Sequence, residues 1–368
     1  MKKFTALTAI VGIAAVGAIA AGVIAACADT PGVSVHGDQV GFSVGPNFIW
    51  ESVADQQRDL DNMVATGARW IRLDLFWPSI QPSATTPPAN WGWTNFDRAI
   101  SAAHDRGLSI IGLPSYTPGW AKSPGQTDAG SPADVNQFAN FMTQVVNRYK
   151  SKVETWEIWN EPNQAWSWSP PDPAAYTRLL IPAYAAVKAA DPTATVLAAG
   201  LAPASDRPGQ EVSPLTFFKG IYAAGGKGSF DAMAMHPYAY PYLPTDATTS
   251  SWNAFYRLAD LHTVMASNGD AAKQIWLTEF GAPTSGPNSV SEAAQANFVK
   301  QAMVAKALYP YTGPLIWYNA RDNGTDPNDI QDHFGLWHLD FSPKPGVAML
   351  TSIIEGDVGI STAFTTSK

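Results

Sequence analysis

The stretch VETWEIWNEPN, residues 153–163, combines apolar and acidic side chains in a short run that ends on an Asn-Glu-Pro corner. The valine, isoleucine and tryptophans predict a β-strand, and Pro162 predicts that the strand ends there. A soluble core normally excludes carboxylates, because an unpaired buried charge costs several kcal/mol or shifts its pKa until it is neutral. Acids set among tryptophans therefore indicate either a surface strand or a site.

Apolar runs of the same kind recur along the chain at intervals of roughly 30 to 45 residues, and patterns typical of amphipathic helices separate them. The eight runs are QVGFSV (39–44), WIRLDLFW (70–77), LSIIGLP (108–114), VETWEIWN (153–160), TVLAAG (195–200), DAMAMHPY (231–238), IWLTEFG (275–281) and PLIWYN (314–319). Eight strands alternating with eight helices predict an α/β fold of the (β/α)8, or TIM, barrel class. A doubly wound open sheet is the alternative, but no Gly-rich phosphate loop follows the first strand.

The N-terminus, residues 1–28, has the composition of an export signal: MKK followed by a long apolar run. Its end can be read as a cleavage site at Ala26-Cys27-Ala28 or as a bacterial lipobox in which Cys27 is lipidated, and the run is also just long enough to remain as an anchor. Residues 29–368 then form a single domain outside the cytoplasm, either secreted or attached to the cell envelope. Membrane attachment through Cys27 follows from the lipobox reading only.

Charge and residue usage exclude several functions. The 368 residues carry a net charge of -8, with no Lys/Arg cluster after residue 3, which argues against a nucleic-acid surface. The six histidines show no paired ligand spacing, so we expect neither a catalytic metal nor a cofactor. Asp322, Asp326 and Asp329 resemble a loose calcium loop, but they lack the Gly and Glu positions of an EF-hand, and a solvated loop is the favoured reading.

In a barrel of this class, polar residues at the carboxyl ends of strands are the catalytic candidates. Glu161 ends the fourth strand and Glu279 the seventh. Glu157 has the same strand parity as Glu161 but lies deeper, so we expect a buried structural partner there, and a solvated side chain at Glu154. Two acids facing each other across a pocket are what glycosidic-bond hydrolysis requires, because one protonates the leaving oxygen and the other attacks or activates water.

The motifs WEIWNEPN and WLTEFG, each on a strand, resemble glycoside hydrolase clan A, which places an Asn-Glu pair on the fourth strand and a second Glu on the seventh. The stretch RLDLFWPSIQP and the closing FGLWHLDFSPKPG are similar to family 39, to cellulase-like barrels and to related exopolysaccharide glycosidases. The resemblance covers essentially the whole barrel. It implies that Glu161 is the general acid/base and Glu279 the nucleophile of a retaining mechanism, with Arg72 and Tyr238 as hydrogen-bonding partners of Glu279.

The same resemblance implies further substrate-binding residues. Asn160 would bind the sugar hydroxyl next to the anomeric carbon, and His236 would orient the acid/base or a hydroxyl. Trp317 would form a platform under the sugar ring, with Trp120 and Trp77 at further subsites. Structural readings stay open: the histidine could belong to the core, and the last two tryptophans are equally suited to packing.

A structural reading is open for Arg72 as well, because it could merely neutralise Asp74 or another buried acid. The sequence as a whole predicts an exported, monomeric, retaining O-glycoside hydrolase acting on a polysaccharide or oligosaccharide. Family 39 resemblance suggests β-xylosidic or uronic-acid chemistry. A catalytically inactive cell-surface carbohydrate-binding barrel is the alternative, and transglycosylation would use the same residues.

Overall fold

The computed structural model of the protein describes residues 33–127 and 129–361. The export signal predicted for residues 1–28, including Cys27, lies outside the described residues and stays a prediction. Within the described part, no helix is long and apolar enough to cross a membrane.

Eight parallel strands form a closed barrel in which each strand pairs with its neighbours in chain order and β8 closes on β1. The strands are β1 (Val40–Ser43), β2 (Trp70–Phe76), β3 (Ser109–Ser115), β4 (Thr155–Asn160), β5 (Thr195–Leu201), β6 (Ala232–Met235), β7 (Ile275–Phe280) and β8 (Thr312–Trp317). This architecture confirms the predicted (β/α)8 barrel and rules out the open sheet, because a closed barrel has no free edge.

A long helix follows each strand, and a short additional helix lies directly after β2. The described helices are α1 (Val53–Ala65), α2 (Trp77–Ile80), α3 (Thr94–His104), α4 (Val135–Tyr149), α5 (Pro173–Ala190), α6 (Pro214–Ala223), α7 (Ala254–Ser267), α8 (Glu292–Ala307) and α9 (Pro345–Glu355). Each of the eight predicted helices corresponds to a different one of the long helices.

Short polar side chains fix where the helices begin. Six helices start after a residue whose side chain accepts a hydrogen bond from a backbone N–H of the first turn: Ser52, Asp134, Asp172, Ser213, Asn253 and Ser291. Such caps satisfy N–H groups that have no partner inside the helix. At the other end of the domain, α9 stops at Gly356, whose φ of 86° is accessible to glycine without steric cost.

Apolar side chains form two layers. A small cluster fills the inside of the barrel: Ile111, Leu197, Ala232, Ala234, Trp276 and Ile316, with Trp70 against it. A much larger cluster lies between the strands and the surrounding helices. Because the inner cluster fills the lower barrel, open space is left at the carboxyl ends of the strands, where the long βα-loops emerge.

Candidate active site

A pocket of about 420 Å³ opens at the carboxyl ends of the strands. Glu161, directly after β4, and Glu279, in β7, lie together in its wall and are only 8% and 9% exposed. The other lining residues come from strand ends and the loops that follow them: Ser43, Gly45, Pro46, Asp74, Phe76, Tyr116, Asn160, Trp166, Tyr238, Tyr240, Tyr318, Gln331 and Phe334. The two glutamates that the sequence singled out therefore share one cavity.

The end of β4 departs from regular strand geometry. Neighbouring residues of a strand point to opposite faces, yet Asn160 and Glu161 both line the pocket. Trp159 and Glu161 have φ values of 74° and 43°, in the left-handed region that costs a non-glycine residue on the order of 1–3 kcal/mol. The Glu161 N–H donates to the carbonyl oxygen of Gly200 at 3.0 Å. This left-handed corner turns both polar side chains towards the cavity.

Glu161 contacts a buried histidine at the end of β6. The Nδ1 atom of His236 lies 2.6 Å from Glu161 Oε1 and 3.6 Å from Glu279 Oε2. Burial raises the pKa of Glu161, and this effect exceeds the lowering by His236. Burial lowers the pKa of His236, but the carboxylates of Glu279, Glu157 and Glu161 together outweigh it and raise the pKa to about 9. Since both pKa values are raised, the pair as a unit retains a proton near neutral pH.

Two donors hold Glu279, one from β2 and one from the loop after β6. Arg72 Nη1 donates to Oε1 at 2.5 Å, and the Tyr238 hydroxyl donates to Oε2 at 2.9 Å. Both donors match the acceptor oxygens of a carboxylate. Burial raises the pKa of Tyr238, so its hydroxyl keeps the proton that it donates. Glu161 and Glu279 thus have opposite surroundings: one lies beside a proton source, and the other is fixed by a cation and a hydroxyl.

Below the pocket floor, Glu157 is fully buried and accepts hydrogen bonds from Arg72 Nε at 2.8 Å, Arg72 Nη2 at 3.0 Å and the Gly200 N–H at 2.9 Å. Burial raises its pKa, but Arg72 and His236 together outweigh this and lower the pKa to about 2. A Cβ at Gly200 would lie 2.1 Å from His236 Nε2 and 2.8 Å from Glu157 Oε1. The expected buried partner is therefore present, and only glycine fits beside it.

Arg72 does more than neutralise a neighbour. Besides its bonds to Glu157 and Glu279, it donates from Nη2 to Asn160 Oδ1 at 2.8 Å. No hydrogen bond or ion pair joins it to Asp74 within the described residues, although the two charges lie close enough to influence each other. Arg72 thus joins three groups at the pocket floor and fixes the orientation of the Asn160 side chain.

The carboxylates of Glu161 and Glu279 are close together. One oxygen from each, together with a ring nitrogen of His236, lies within 4.8 Å of the others. In the part of the chain that the structure describes, these three residues are the group whose spacing would suit a metal ion. Each already has a protein partner, through the short Glu161–His236 contact and the bonds from Arg72 and Tyr238.

The structure corrects the aromatic platform. Trp317 is 2% exposed, belongs to the layer between strands and helices, and donates from Nε1 to the Phe334 carbonyl at 3.1 Å. The residue before it, Ile316, faces the barrel interior, so Trp317 points away from the pocket by strand alternation. Tyr318, one residue later, lines the cavity instead.

Trp120 and Trp77 pack rather than line the pocket. Their rings meet edge to face at 5.6 Å, and Trp77 is fully buried against Phe141. Trp120 donates from Nε1 to the Gln81 carbonyl at 3.0 Å. Both tryptophans therefore shape the β2 and β3 loops, which is the structural reading that the sequence left open.

Sequence reasoning missed most of the pocket wall. Tyr116, Trp166, Tyr240 and Tyr318 all line the cavity, and Trp166 remains 56% exposed. Tyr116, Trp166 and Tyr240 each follow a predicted strand end within a few residues, and Tyr318 lies near the end of the last predicted strand; this position is the feature that could have identified them. Asp74 also lines the cavity, although the sequence suggested it only as a counter-charge.

The acidic loop after β8 has protein partners of its own. Asp322 Oδ1 accepts from Lys344 Nζ and from the Gly335 N–H, both at 2.8 Å. Asp326 and Asp329 each accept from a backbone N–H two residues ahead at 2.9 Å. These carboxylates therefore hold the loop conformation through contacts within the protein.

Comparison with solved structures finds a similar fold in several glycoside hydrolases. A family 39 glycoside hydrolase from the gut symbiont Bacteroides cellulosilyticus superposes with a TM-score of 0.69 at 22% identity, covering 87% of this chain and 64% of that chain. A monomeric β-xylosidase from Caulobacter crescentus gives a TM-score of 0.67 at 17% identity, covering 88% and 69%. The chain spans less than two thirds of the first of these proteins, and at such identities the likeness concerns the fold.

A third structure comes from family 5. The subfamily 18 protein from Bifidobacterium longum subsp. longum, in complex with Manβ1-4GlcNAc, gives a TM-score of 0.69 at 15% identity, covering 86% of this chain and 78% of that chain. No curated protein matches the sequence of the present chain. A family model does match: cellulase (glycosyl hydrolase family 5) aligns with residues 27–313, most of the chain. The clan identified from the two glutamate motifs is thereby confirmed, and the chain belongs to glycosyl hydrolase family 5, a family of enzymes that hydrolyse O-glycosidic bonds.

Proposed function

We propose that this chain is a retaining glycoside hydrolase that cleaves a polysaccharide or oligosaccharide by double displacement at Glu161 and Glu279. The observation that carries the proposal is the approach of their carboxylate oxygens to within 4.8 Å in one cavity. Retaining enzymes hold the two carboxyl groups about 5–5.5 Å apart, whereas inverting enzymes need about 6.5–9.5 Å for an intervening water. The short separation favours retention.

In the first step, Glu279 attacks the anomeric carbon while Glu161 gives its proton to the leaving oxygen. Arg72 and Tyr238 hold Glu279 in place and aim its oxygens. Burial raises the pKa of Glu161 against the lowering effect of His236, which favours the protonated acid that this step requires. The glycosidic bond breaks and a glycosyl ester forms on Glu279.

In the second step, water attacks the same carbon from the side of the departed leaving group. Glu161, now a carboxylate, takes the proton of that water, and the ester bond to Glu279 breaks. Asn160 contributes in both steps: its Oδ1 accepts from Arg72 at 2.8 Å, which leaves its amide NH2 free to donate to a sugar hydroxyl. Such a bond strengthens as charge develops in the transition state.

The proposed substrate is β-linked. Two structural neighbours are described as a β-xylosidase and as a complex with Manβ1-4GlcNAc, and both names refer to β-glycosides. In this chain the aromatic residues Trp166 and Tyr318 lie at the wall of the cavity. Aromatic faces pack against the C–H faces of sugars, so these two residues would hold the units on either side of the scissile bond.

The experiment that tests the mechanism is trapping with activated 2-fluoro β-glycosides, read by intact mass and peptide mapping. These compounds slow the breakdown of a covalent intermediate. An adduct on Glu279 that is absent from Glu279→Gln is the expected result. Turnover by Glu279→Ala equal to that of the unmodified chain would refute the proposal.

The same experiment separates the alternatives. A catalytically inactive carbohydrate-binding barrel would bind glycans without any adduct or hydrolysis across the panel. Transglycosylation would give the adduct but pass the sugar to an added acceptor rather than to water. The close pair of carboxylates supports catalysis over binding alone.

Export remains part of the proposal and rests on the sequence of residues 1–28. Fractionation of cells that produce the full chain, compared with Cys27→Ser, tests it. Release of Cys27→Ser from the membrane fraction would support lipid attachment, whereas identical secretion of both would support simple cleavage. Light scattering of the signal-free protein tests the expected monomer.

A further inference from the structure

Asp74 lies in the pocket but has no place in the mechanism above. It follows Arg72 by two residues in β2, so both side chains face the barrel interior, and Asp74 lies one step nearer the mouth. The intervening Leu73 and the following Leu75 are buried on the opposite face. Strand alternation therefore aims the Asp74 carboxylate into the cavity.

The protein leaves this carboxylate without a hydrogen-bond partner. In residues 33–127 and 129–361, Asp74 makes no hydrogen bond or ion pair, while the donors of neighbouring Arg72 are directed to Glu157, Glu279 and Asn160. Burial raises the pKa of Asp74 to about 6 against the lowering effect of Arg72. A partly buried carboxylate is costly unless something donates to it, and the open side of Asp74 is the ligand space.

The wall of the pocket is acidic as a whole. Asp74, Glu161 and Glu279 line it, whereas no Lys, Arg or His is among the lining residues that the structure describes. Arg72 lies beneath, 3% exposed and already shared between two carboxylates. A ligand with a carboxylate would therefore meet like charges and find no free cation at the wall, and this repulsion is strong at short range in a partly desolvated site.

We infer that Asp74 is a specificity residue that accepts a hydrogen bond from a hydroxyl or ammonium group of the sugar in the cleavage subsite. The pocket then takes neutral or amino sugars and rejects sugars that carry a carboxylate. This inference rests on the proposed function in treating the cavity as a sugar subsite. It narrows the expected chemistry, because it removes the uronic acids that the sequence resemblance allowed.

Binding of matched methyl β-glycosides tests the inference without requiring turnover. Each set shares one ring configuration (gluco, galacto or manno) and consists of the neutral glycoside, the uronate and the 2-amino sugar, with affinities measured by calorimetry or ligand-observed NMR. For the unmodified protein we expect at least one set in which the neutral or amino sugar binds about tenfold or more tighter than the uronate. Asp74→Asn should reduce that ratio by about tenfold.

Asp105→Asn is the matched control, because it removes the same charge from an exposed side chain at the end of α3. It should leave the ratio unchanged. Three results would each overturn the inference. These are equal affinities of the unmodified protein for the neutral sugar and the uronate, an affinity ratio that Asp74→Asn does not alter, and no binding of any neutral or amino sugar. Selective binding without hydrolysis of the corresponding aryl glycosides would leave the inference standing and overturn the proposed function instead.

Discussion

Replacement of Glu157 by glutamine removes the buried charge that Arg72 holds below the pocket. Glu157 is fully buried and accepts from both Nε and Nη2 of Arg72, from the Gly200 N–H and, at 3.3 Å, from the Thr278 hydroxyl. A glutamine keeps the shape, but its NH2 group would face donors. The substitution should therefore destabilise the fold at neutral pH.

The size of the effect follows from the pKa of Glu157, about 2 against 4.5 for an ordinary glutamate. At 1.36 kcal/mol per pKa unit, the ionised form contributes about 3 kcal/mol to the folded state, similar to the cost of breaking a buried ion pair. A carboxylate whose pKa is lowered on folding stabilises the folded state at pH values above its pKa in the unfolded chain. For Glu157 this stabilisation is lost as the pH falls from 4.5 towards 2. The difference between Glu157→Gln and the unmodified protein should therefore shrink to about 1 kcal/mol at pH 3.

Urea unfolding at pH 7 and pH 3, followed by tryptophan fluorescence, measures both quantities. Glu154→Gln is the control, since Glu154 precedes the same strand and is exposed; it should stay within about 0.5 kcal/mol of the unmodified protein. Equal stability of the two variants at pH 7, or a Glu157→Gln deficit that does not shrink at pH 3, would refute the reasoning.

Three further substitutions test the site. Gly200→Ala should destabilise by about 1–3 kcal/mol in urea unfolding because its Cβ would meet a ring nitrogen at 2.1 Å, whereas Gly119→Ala, with no atom within 4 Å of its Cβ, should not. Tyr238→Phe should lower kcat about tenfold or more without changing the unfolding midpoint, since it removes only the hydroxyl 2.9 Å from the nucleophile; an unchanged kcat would contradict that role. His236→Asn removes a group that lowers the pKa of Glu161, so the basic limb of the kcat/KM profile should move to higher pH, and a shift to lower pH would be inconsistent with this.

The fold was predictable from sequence because strand and helix periods alternate without interruption, and strand ends then placed the two glutamates at one face. The roles of Arg72 and Tyr238 came only from family resemblance, although the structure does bring both to Glu279. Spacing alone could not have supplied these contacts, since they join residues far apart in the chain.

Two errors have a common physical cause. Trp317 was expected at the pocket and Tyr318 was not, but one step along a strand moves a side chain to the other face. The left-handed φ of Trp159 and Glu161 reverses that rule at the end of β4. Single-residue geometry of this kind depends on tertiary packing and cannot be read from the pattern of apolar residues.

The left-handed corner also means that Glu161, the acid/base, is oriented during folding rather than during substrate binding. Trp159 is fully buried, with its ring 5.1 Å from that of Trp168, and this packing holds a backbone conformation that an isolated strand would avoid. The free-energy cost of this backbone conformation is therefore met during folding, before any sugar binds. The corner is preorganised, so that substrate binding energy is not needed to turn Glu161 towards the scissile bond.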